Sequence, residues 1–253
     1  MPAYTATGLV LHRINLGETD KILTLYTREH GKLAAVAKGA RRAGSRLSGA
    51  TELFTDSKFL LATGKSLDIV TQCEIRDSFP TLRNDLERLA RATYLCELLD
   101  RMTQERDPLQ STELHDLTLA ALSLLQRANG YLDGIVHAYE LRLLAALGYA
   151  PILDRCVRCG EPLERRPIGF SPSLGGTLCA ADRYRAEDSL ALSSEAVALL
   201  PMLQNAEPES LLTLQPSPKA AAEVARSLRW YVRFRAERDL KSADFLDQLR
   251  ASS

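Results

Sequence analysis

Three cysteines in the second half of the chain have the spacing of a metal site. Cys156 and Cys159 are separated by two residues, so both thiolates can reach one tetrahedral ion, and Gly160 permits the tight turn beneath it. Cys179 follows after nineteen intervening residues, within the spacing of a zinc ribbon. Asp182 stands where a complete ribbon has its fourth cysteine, and a carboxylate can also ligate zinc. We therefore predict a structural zinc site formed by Cys156, Cys159, Cys179 and Asp182.

Other interpretations of these cysteines stay open from the residues alone. Asp154 offers a second carboxylate, and a relic finger could keep its shape by packing without metal. A redox pair of Cys156 and Cys159 fits less well, because the surroundings lack the βαβ pattern of such motifs and Cys179 would have no role. No histidine lies nearby in the sequence, which argues against a catalytic zinc.

A basic segment near the N-terminus is the second candidate site. The residues from Arg28 to Arg46 include six basic side chains and one acid, although the whole chain has a formal net charge of zero. Gly39, Gly44 and Ser45 allow the backbone to approach a surface closely, and arginine side chains can fork onto phosphate oxygens. A local basic segment in a neutral protein indicates a site, so we predict nucleic-acid contact here; a solvated, flexible loop is the alternative.

Five short strands are predicted to position this segment. Apolar residues alternate, and glycines mark turns, over residues 7–14, 21–28, 32–38, 53–62 and 67–75. Within residues 1–79 this pattern predicts three strands in a meander, then a long loop, then a hairpin. Such an arrangement fits a small closed barrel such as the OB-fold, which often binds nucleic acid. An open sheet or an SH3-like barrel is the alternative.

At Phe79–Pro80 the apolar period changes to steps of three and four residues, which predicts a helical domain over residues 80–253. Its first helix would begin at Thr81 as N-cap. Further helices are predicted at 112–127, 133–147, 193–204 and 218–240. Residues 152–188 lack periodicity and contain the clustered cysteines, so they are predicted to form a zinc-ribbon-like insertion. The fold class is therefore α+β, with a five-stranded OB-fold barrel followed by an α-helical domain that contains the finger.

The last predicted helix combines aromatic residues with arginines. Its members are Trp230, Tyr231, Phe234, Arg229, Arg233, Arg235 and Arg238. We predict that the aromatic side chains lie in the core and that the arginines form a solvated face. Contact with nucleic acid or an acidic partner is the alternative.

Composition and the absence of certain motifs argue against a membrane protein, a secreted protein and an enzyme. With 45% hydrophobic and 25% charged residues and no long apolar run, the chain is typical of soluble globular proteins rather than membrane proteins. The N-terminus lacks a signal-peptide layout and the five cysteines are an odd number, so we expect a cytoplasmic protein without a disulfide framework. Residues 62–66 end like a phosphate-binding loop, but Phe59 replaces its first glycine. The histidines are scattered, and an enzyme is not supported.

Several segments resemble the RecO family of bacterial DNA repair proteins. They occur in the expected order and span nearly the whole chain. They are residues 17–32, 35–42, 94–100, 140–144, 147–151, 156–160, 170–172, 175–179 and 240–242. The opening block and the flanks of the cysteine knuckle are the most specific.

The resemblance implies an N-terminal OB-fold, a helical domain and a zinc-ribbon-like insertion. It also implies a mediator of DNA repair and homologous recombination that binds single- and double-stranded DNA and anneals complementary strands. With RecR, such a protein helps RecA load onto DNA coated by single-stranded-DNA-binding protein, in the cytoplasm and in association with the nucleoid. The DNA-binding candidates, the last added for its charge alone, are Lys32, Lys38, Arg41, Arg42 and Arg46. At Asp182 the chain departs from the many zinc-bearing members that have cysteine.

We therefore hypothesise a non-enzymatic mediator whose basic loop and adjoining barrel face hold the phosphate backbone with little sequence readout. One alternative is a protein-interaction adaptor of the repair machinery with little DNA affinity, in which the helical domain is the working surface. A weaker alternative is a hydrolase with a degenerate zinc site.

Overall fold

Burial alternates along the first five strands, and their sheet closes on itself as a barrel. The strands, paired in the order β1-β2-β3-β5-β4, are β1 (Ala3–Leu16), β2 (Asp20–Thr27), β3 (Gly31–Ala37), β4 (Asp56–Ala62) and β5 (Asp68–Asp77). The inward side chains form one apolar core that includes Val10, Leu25, Leu33, Phe59 and Leu61. The predicted five-stranded barrel is confirmed, and the open-sheet alternative is wrong.

The structure is a computed structural model that describes residues 2–163, 168–237 and 239–252. The chain divides into two compact units, one of Met1–Gln126 with Leu240–Ser253 and the other of Arg127–Asp239. The first unit thus contains the barrel and the last helix of the chain. None of the helices in the described ranges is long and apolar enough to cross a membrane.

The largest differences between the observed and the predicted strand boundaries are in β1 and at the start of β4. β1 is longer than predicted, because its first half pairs with β4 and its second half pairs with β2. Residues 53–55, predicted as strand, precede β4 instead. Phe54 has a positive φ of 65° that interrupts the extended chain, and a short 3-10 helix, Gly49–Thr51, lies just before it.

Three helices follow the barrel. They are α1 (Pro80–Asn84), α2 (Leu86–Met102) and α3 (Ser111–Arg127). The prediction of a single first helix capped by Thr81 is wrong, because Thr81 lies inside α1. Asp85 is the N-cap of α2, and its carboxylate accepts a hydrogen bond from the Arg88 N–H at 3.1 Å. Asp85 is extended, so it separates two helices that apolar spacing alone does not distinguish.

The second unit combines helices with a small sheet. Its helices are α4 (Leu132–Ala146), α5 (Ser194–Asn205) and α6 (Pro218–Ala236). Its strands, in the order β7-β6-β8, are β6 (Ile168–Ser171), β7 (Gly176–Leu178) and β8 (Leu190–Leu192). Sequence periodicity misses these strands, because they are three or four residues long and β6 and β7 are buried on both faces.

Helix α6 is shorter than predicted and exposes two of its three aromatic residues. It ends before Glu237, which takes the left-handed conformation with a φ of 51°. Tyr231 is buried, whereas Trp230 is 52% exposed and Phe234 is 49% exposed. The prediction that all three side chains lie in the core is therefore correct for Tyr231 and wrong for the other two; Arg238 lies outside the described residues.

A further helix, α7 (Lys241–Ser252), packs against α2 and is held there by one carboxylate. Glu97 accepts hydrogen bonds from the backbone N–H of Lys241 at 3.2 Å, and from the N–H and Oγ of Ser242 at 2.8 and 2.5 Å. Burial by itself raises the pKa of Glu97, but these hydrogen bonds outweigh it and hold the pKa below its ordinary value. The ionised Glu97 is thus the anchor for the start of α7.

Replacing Glu97 with alanine should release the start of α7 and lower the free energy of unfolding by about 1–2 kcal/mol, the usual cost of losing a helix cap. Because folding lowers the pKa of Glu97, its contribution is complete above the ordinary carboxyl pKa and is lost as the pH falls through the lowered value. Denaturant unfolding and hydrogen exchange of the α7 amides measure both effects. Glu97→Gln should keep part of the stability and lose its pH dependence; a Glu97→Ala protein as stable as the parent would contradict the anchor.

Candidate metal centre and nucleic-acid interface

The basic loop, comprising residues 38–46, leaves the barrel at the end of β3. β3 ends where it pairs with the start of β2, so the loop emerges beside the turn between β1 and β2. Its four cations, Lys38, Arg41, Arg42 and Arg46, all have exposed side chains. The structure therefore brings four of the five predicted DNA-contacting residues together on one short surface segment.

Hydrogen bonds fix the backbone of this loop. The Arg42 N–H donates to Gly39 O at 3.1 Å, and the Ser45 N–H donates to Arg42 O at 3.1 Å, so the chain makes successive turns. Gly39 has a positive φ of 68°, which a glycine adopts without strain. The Arg41 N–H donates to Thr19 O at 2.9 Å and ties the loop to the β1–β2 turn. These contacts favour a defined backbone conformation over the flexible-loop alternative.

Asp20 anchors the basic loop from the neighbouring turn. Its carboxylate accepts hydrogen bonds from the Gly39 N–H and the Thr19 hydroxyl, each at 2.8 Å. These two hydrogen bonds lower the pKa of Asp20, and the charges of Arg42 and Lys38 lower it further. Sequence reasoning missed this anchor, because an acid on a turn gives no sign of a partner nineteen residues away.

Lys32 has a different environment from the loop cations. Its ammonium donates to Asp100 O at 2.5 Å and to Thr103 O at 2.7 Å, and it pairs with Asp100 Oδ1 at 3.1 Å. These acceptors lie at the C-terminal end of α2, where a cation is favourable. Only 13% of the Lys32 side chain is exposed. The structure therefore uses Lys32 to join β3 to α2 and places it apart from the basic loop.

The three clustered cysteines and Asp182 converge, as their spacing predicts. Their ligand atoms all lie within 4.8 Å of one another. Cys156 and Cys159 come from a tight turn in which the Gly160 N–H donates to Cys156 O at 2.9 Å. Cys179 follows directly after β7, and Asp182 precedes a short 3-10 helix. A local turn and one returning segment thus form the cluster.

The distances in this cluster fit a tetrahedral zinc ion. Zinc bonds of about 2.3 Å to sulfur and about 2.0 Å to oxygen place two thiolates about 3.8 Å apart, and a thiolate and a carboxylate oxygen about 3.5 Å apart. Cys159 Sγ and Cys179 Sγ are 3.9 Å apart. Asp182 Oδ2 lies 3.4 Å from Cys156 Sγ and 3.6 Å from Cys179 Sγ. These four residues can therefore hold a metal such as zinc in a closed, structural site, and Asp154 lies outside the cluster.

Hydrogen bonds favour charged forms of two of the four ligands. Burial raises the pKa of Cys156, but the backbone N–H groups of Cys159, Cys179 and Arg158 outweigh it and lower the pKa. The Cys159 thiol lowers the pKa of the Asp182 carboxyl by hydrogen bonding to it. The Glu161 N–H lowers the pKa of Cys159, but the hydrogen bonds of its thiol to Cys156, Asp182 and Cys179, together with burial, outweigh it and raise that pKa to about 12. Metal binding requires deprotonated ligands, so an ion at this site would displace the Cys159 proton.

We expect the purified protein to hold zinc, with Asp182 as the fourth ligand. Asp182→Cys should complete a four-thiolate set and tighten zinc binding at least about tenfold, and Asp182→Ala should weaken it by a similar factor, since even outer-shell changes cost about 10–100-fold. Competition with a chromophoric chelator measures the affinity, and the cobalt spectrum reports the number of thiolates. Asp154→Ala is the matched control and should change neither the zinc affinity nor the cobalt spectrum. If neither Asp182 variant changes the zinc affinity, Asp182 is not a ligand.

The environment of Lys32 predicts an effect on stability rather than on DNA affinity. Lys32→Ala removes a charged donor from two partly buried carbonyls and should lower the free energy of unfolding by about 1.5–3 kcal/mol. Lys38→Ala, on the exposed loop, should change it by less than about 0.5 kcal/mol. Urea unfolding of both variants tests this difference. A Lys32→Ala protein of parental stability would show that these contacts do not hold β3 to α2.

The chain matches two family models that together cover most of its length. Recombination protein O N terminal matches residues 1–79, and Recombination protein O C terminal matches residues 83–244. The chain is also similar to proteins named DNA repair protein RecO. That of Symbiobacterium thermophilum is 40% identical over 254 residues, covering 100% of both chains. That of Pelotomaculum thermopropionicum is 40% identical, covering 98% of this chain and 95% of the relative.

A third relative, the DNA repair protein RecO of Roseiflexus sp., is 39% identical and covers 98% of this chain and 86% of its own length. The family models therefore cover most of both units and end within α7, at residue 244. The matched regions include the barrel strands and the residues of the metal cluster. The chain belongs to the RecO family of DNA repair proteins.

Proposed function

We propose that the protein is a non-enzymatic mediator of DNA repair and homologous recombination that holds DNA by its phosphate backbone. The observation that carries this proposal is the basic loop, with four exposed cations on a hydrogen-bonded backbone. Arginine forks match phosphate oxygens, and a loop ordered before binding loses less conformational entropy when DNA docks. Membership of a family of DNA repair proteins supports the same class of ligand.

Such a loop would recognise DNA without reading its sequence. Phosphate contacts position a protein on DNA but carry no base information. The residues from Lys38 to Arg46 include no aromatic side chain that could stack on a base. We therefore expect binding to single- and double-stranded DNA with little sequence preference. Base edges would stay free, so complementary strands held near each other could anneal.

Family membership supports a proposal about the wider role. The protein would act with RecR to help RecA load onto DNA coated by single-stranded-DNA-binding protein, in the cytoplasm and in association with the nucleoid. Its proposed partners are therefore DNA, RecR and single-stranded-DNA-binding protein. Zinc in the cysteine cluster would stabilise the finger without taking part in chemistry.

The combined replacement of Lys38, Arg41 and Arg42 by alanine should weaken DNA binding across all sequences. A variant that neutralises fewer phosphates releases fewer counterions when it binds. The slope of log affinity against log salt should therefore fall in magnitude by about two on single strands and about three on duplex. Fluorescence anisotropy of labelled DNA over a salt series measures both slopes.

The matched control removes three exposed lysines elsewhere, Lys65, Lys219 and Lys241. Lys65 follows β4 at the opposite end of β1 from the basic loop, so its removal should leave the slope nearly unchanged. An unchanged slope in the loop variant would remove the loop from the DNA-binding surface. If the unmodified protein shows no DNA affinity at low salt but still recruits its repair partners, the adaptor alternative is favoured.

A further inference from the structure

The second unit has a surface cavity of about 940 Å³ that neither the metal cluster nor the basic loop explains. Its volume is within the range of about 300–1,000 Å³ that is typical of ligand pockets. The wall combines aromatic, apolar and cationic side chains. They include Trp230, Phe234, Leu174, Arg158, Arg185 and Arg233.

Two exposed aromatic rings form the distinctive part of this wall. Trp230 and Phe234 are four residues apart on α6, so they lie on the same face of the helix, away from buried Tyr231. About half of each side chain is open to solvent. The Arg233 guanidinium, which also lines the cavity, lies 5.9 Å from the centre of the Trp230 ring. The cavity thus offers flat apolar surfaces bordered by positive charge.

The charged groups of the wall favour an anion. Asp188 is engaged within the protein, where it accepts a hydrogen bond from Ser171 Oγ at 2.6 Å. The wall thus has three arginines against the two acids Asp188 and Glu187, and Arg185 also lies 3.6 Å from Asp182 Oδ1. Arg233 also pairs with Asp239 at 2.9 Å, but both side chains are more than half exposed, and such surface pairs contribute little. A phosphate group could therefore replace that contact.

We infer that this cavity binds unpaired bases of single-stranded DNA, stacked on Trp230 and Phe234, with the adjacent phosphates on the arginines. Stacking on aromatic side chains tolerates any sequence, because every base has a flat face. Duplex DNA keeps its bases inside the helix and cannot use these rings. The inference rests on the proposed function, because it deepens DNA binding, but it places bases rather than phosphates at a second surface.

The placement of the rings favours a base over an acidic protein segment. Side chains four residues apart on a helix have Cβ atoms about 5–6 Å apart, a spacing that neighbouring bases of a stretched strand can bridge. Arginine planes next to aromatic rings are a recurrent surface for single-stranded nucleic acid.

Trp230 is the only tryptophan in the chain, so its fluorescence reports on this cavity alone. We expect oligo(dT) to quench Trp230 emission in a saturable titration of the unmodified protein. An abasic oligomer of the same length and charge, and a fully paired duplex, should bind by anisotropy without changing the emission. This comparison separates base stacking from phosphate binding.

Variants provide a second readout. Trp230→Leu combined with Phe234→Ala should weaken oligo(dT) binding by about tenfold or more and leave duplex affinity within about twofold. Trp230→Phe keeps a flat ring and should retain most of the affinity. Phe245→Ala is the matched control, because Phe245 is 43% exposed on α7 in the first unit, and it should have no effect.

The outcomes separate this inference from the proposed function. Oligo(dT) binding without a response of Trp230 would overturn the inference and leave phosphate binding by the basic loop intact. Quenching that persists when Lys38, Arg41 and Arg42 are replaced by alanine would support the cavity independently of the loop. Stronger quenching by a peptide of alternating glutamate and phenylalanine than by oligo(dT) would assign the cavity to an acidic protein segment and overturn the inference.

Discussion

The barrel closes through a short parallel contact on which the positions of the other strands depend. β3 and β5 pair at two positions, one of which places Asp68 opposite Ala35. The buried carboxylate of Asp68 lies at this junction. It accepts hydrogen bonds from Tyr4 Oη, from Arg106 at 2.7 Å and from the Gly64 N–H at 3.2 Å. Burial raises the pKa of Asp68, but the hydrogen bonds from these donors outweigh burial and hold the pKa below its ordinary value. Without this contact the sheet would have two open edges, one of them β3, the strand that leads into the basic loop.

The edge of β3 before this contact is covered by the chain that follows α2. The Arg106 N–H donates to Lys32 O at 2.7 Å, and the Lys32 side chain binds the last carbonyls of α2. In the sequence Lys32 belongs to the same basic stretch as Arg41 and Arg42. Linear charge density cannot separate these residues, because the partners of Lys32 lie 68 and 71 residues away. Tertiary contacts, rather than local charge, decide which cations face a ligand.

Features that repeat over short distances could be predicted from the sequence. The barrel strands and the helices α3, α5 and α6 show a period because each buries one face. Helix α4 is buried on nearly all sides, and the metal cluster needs only a turn and one returning segment. The missed elements depend on distant partners or lack a period. Helix α7 starts against Glu97, 144 and 145 residues earlier. Trp230 is exposed because it lies off the buried stripe of α6, which includes Val224, Leu228 and Tyr231.

The metal cluster and the cavity of the second unit share their supports. Arg158 lies within the Cys156–Cys159 turn, and Arg185 lies in the 3-10 turn after Asp182. Both arginines line the cavity, and Arg158 Nη1 donates to Arg185 O at 3.4 Å. An ion held by Cys156 and Asp182 would join these two turns and fix the separation of their arginines. The aromatic rings lie on α6, which contributes no ligand to the cluster. Loss of the ion would therefore disturb phosphate contacts in the cavity more than base stacking, so a structural metal would position part of a binding surface.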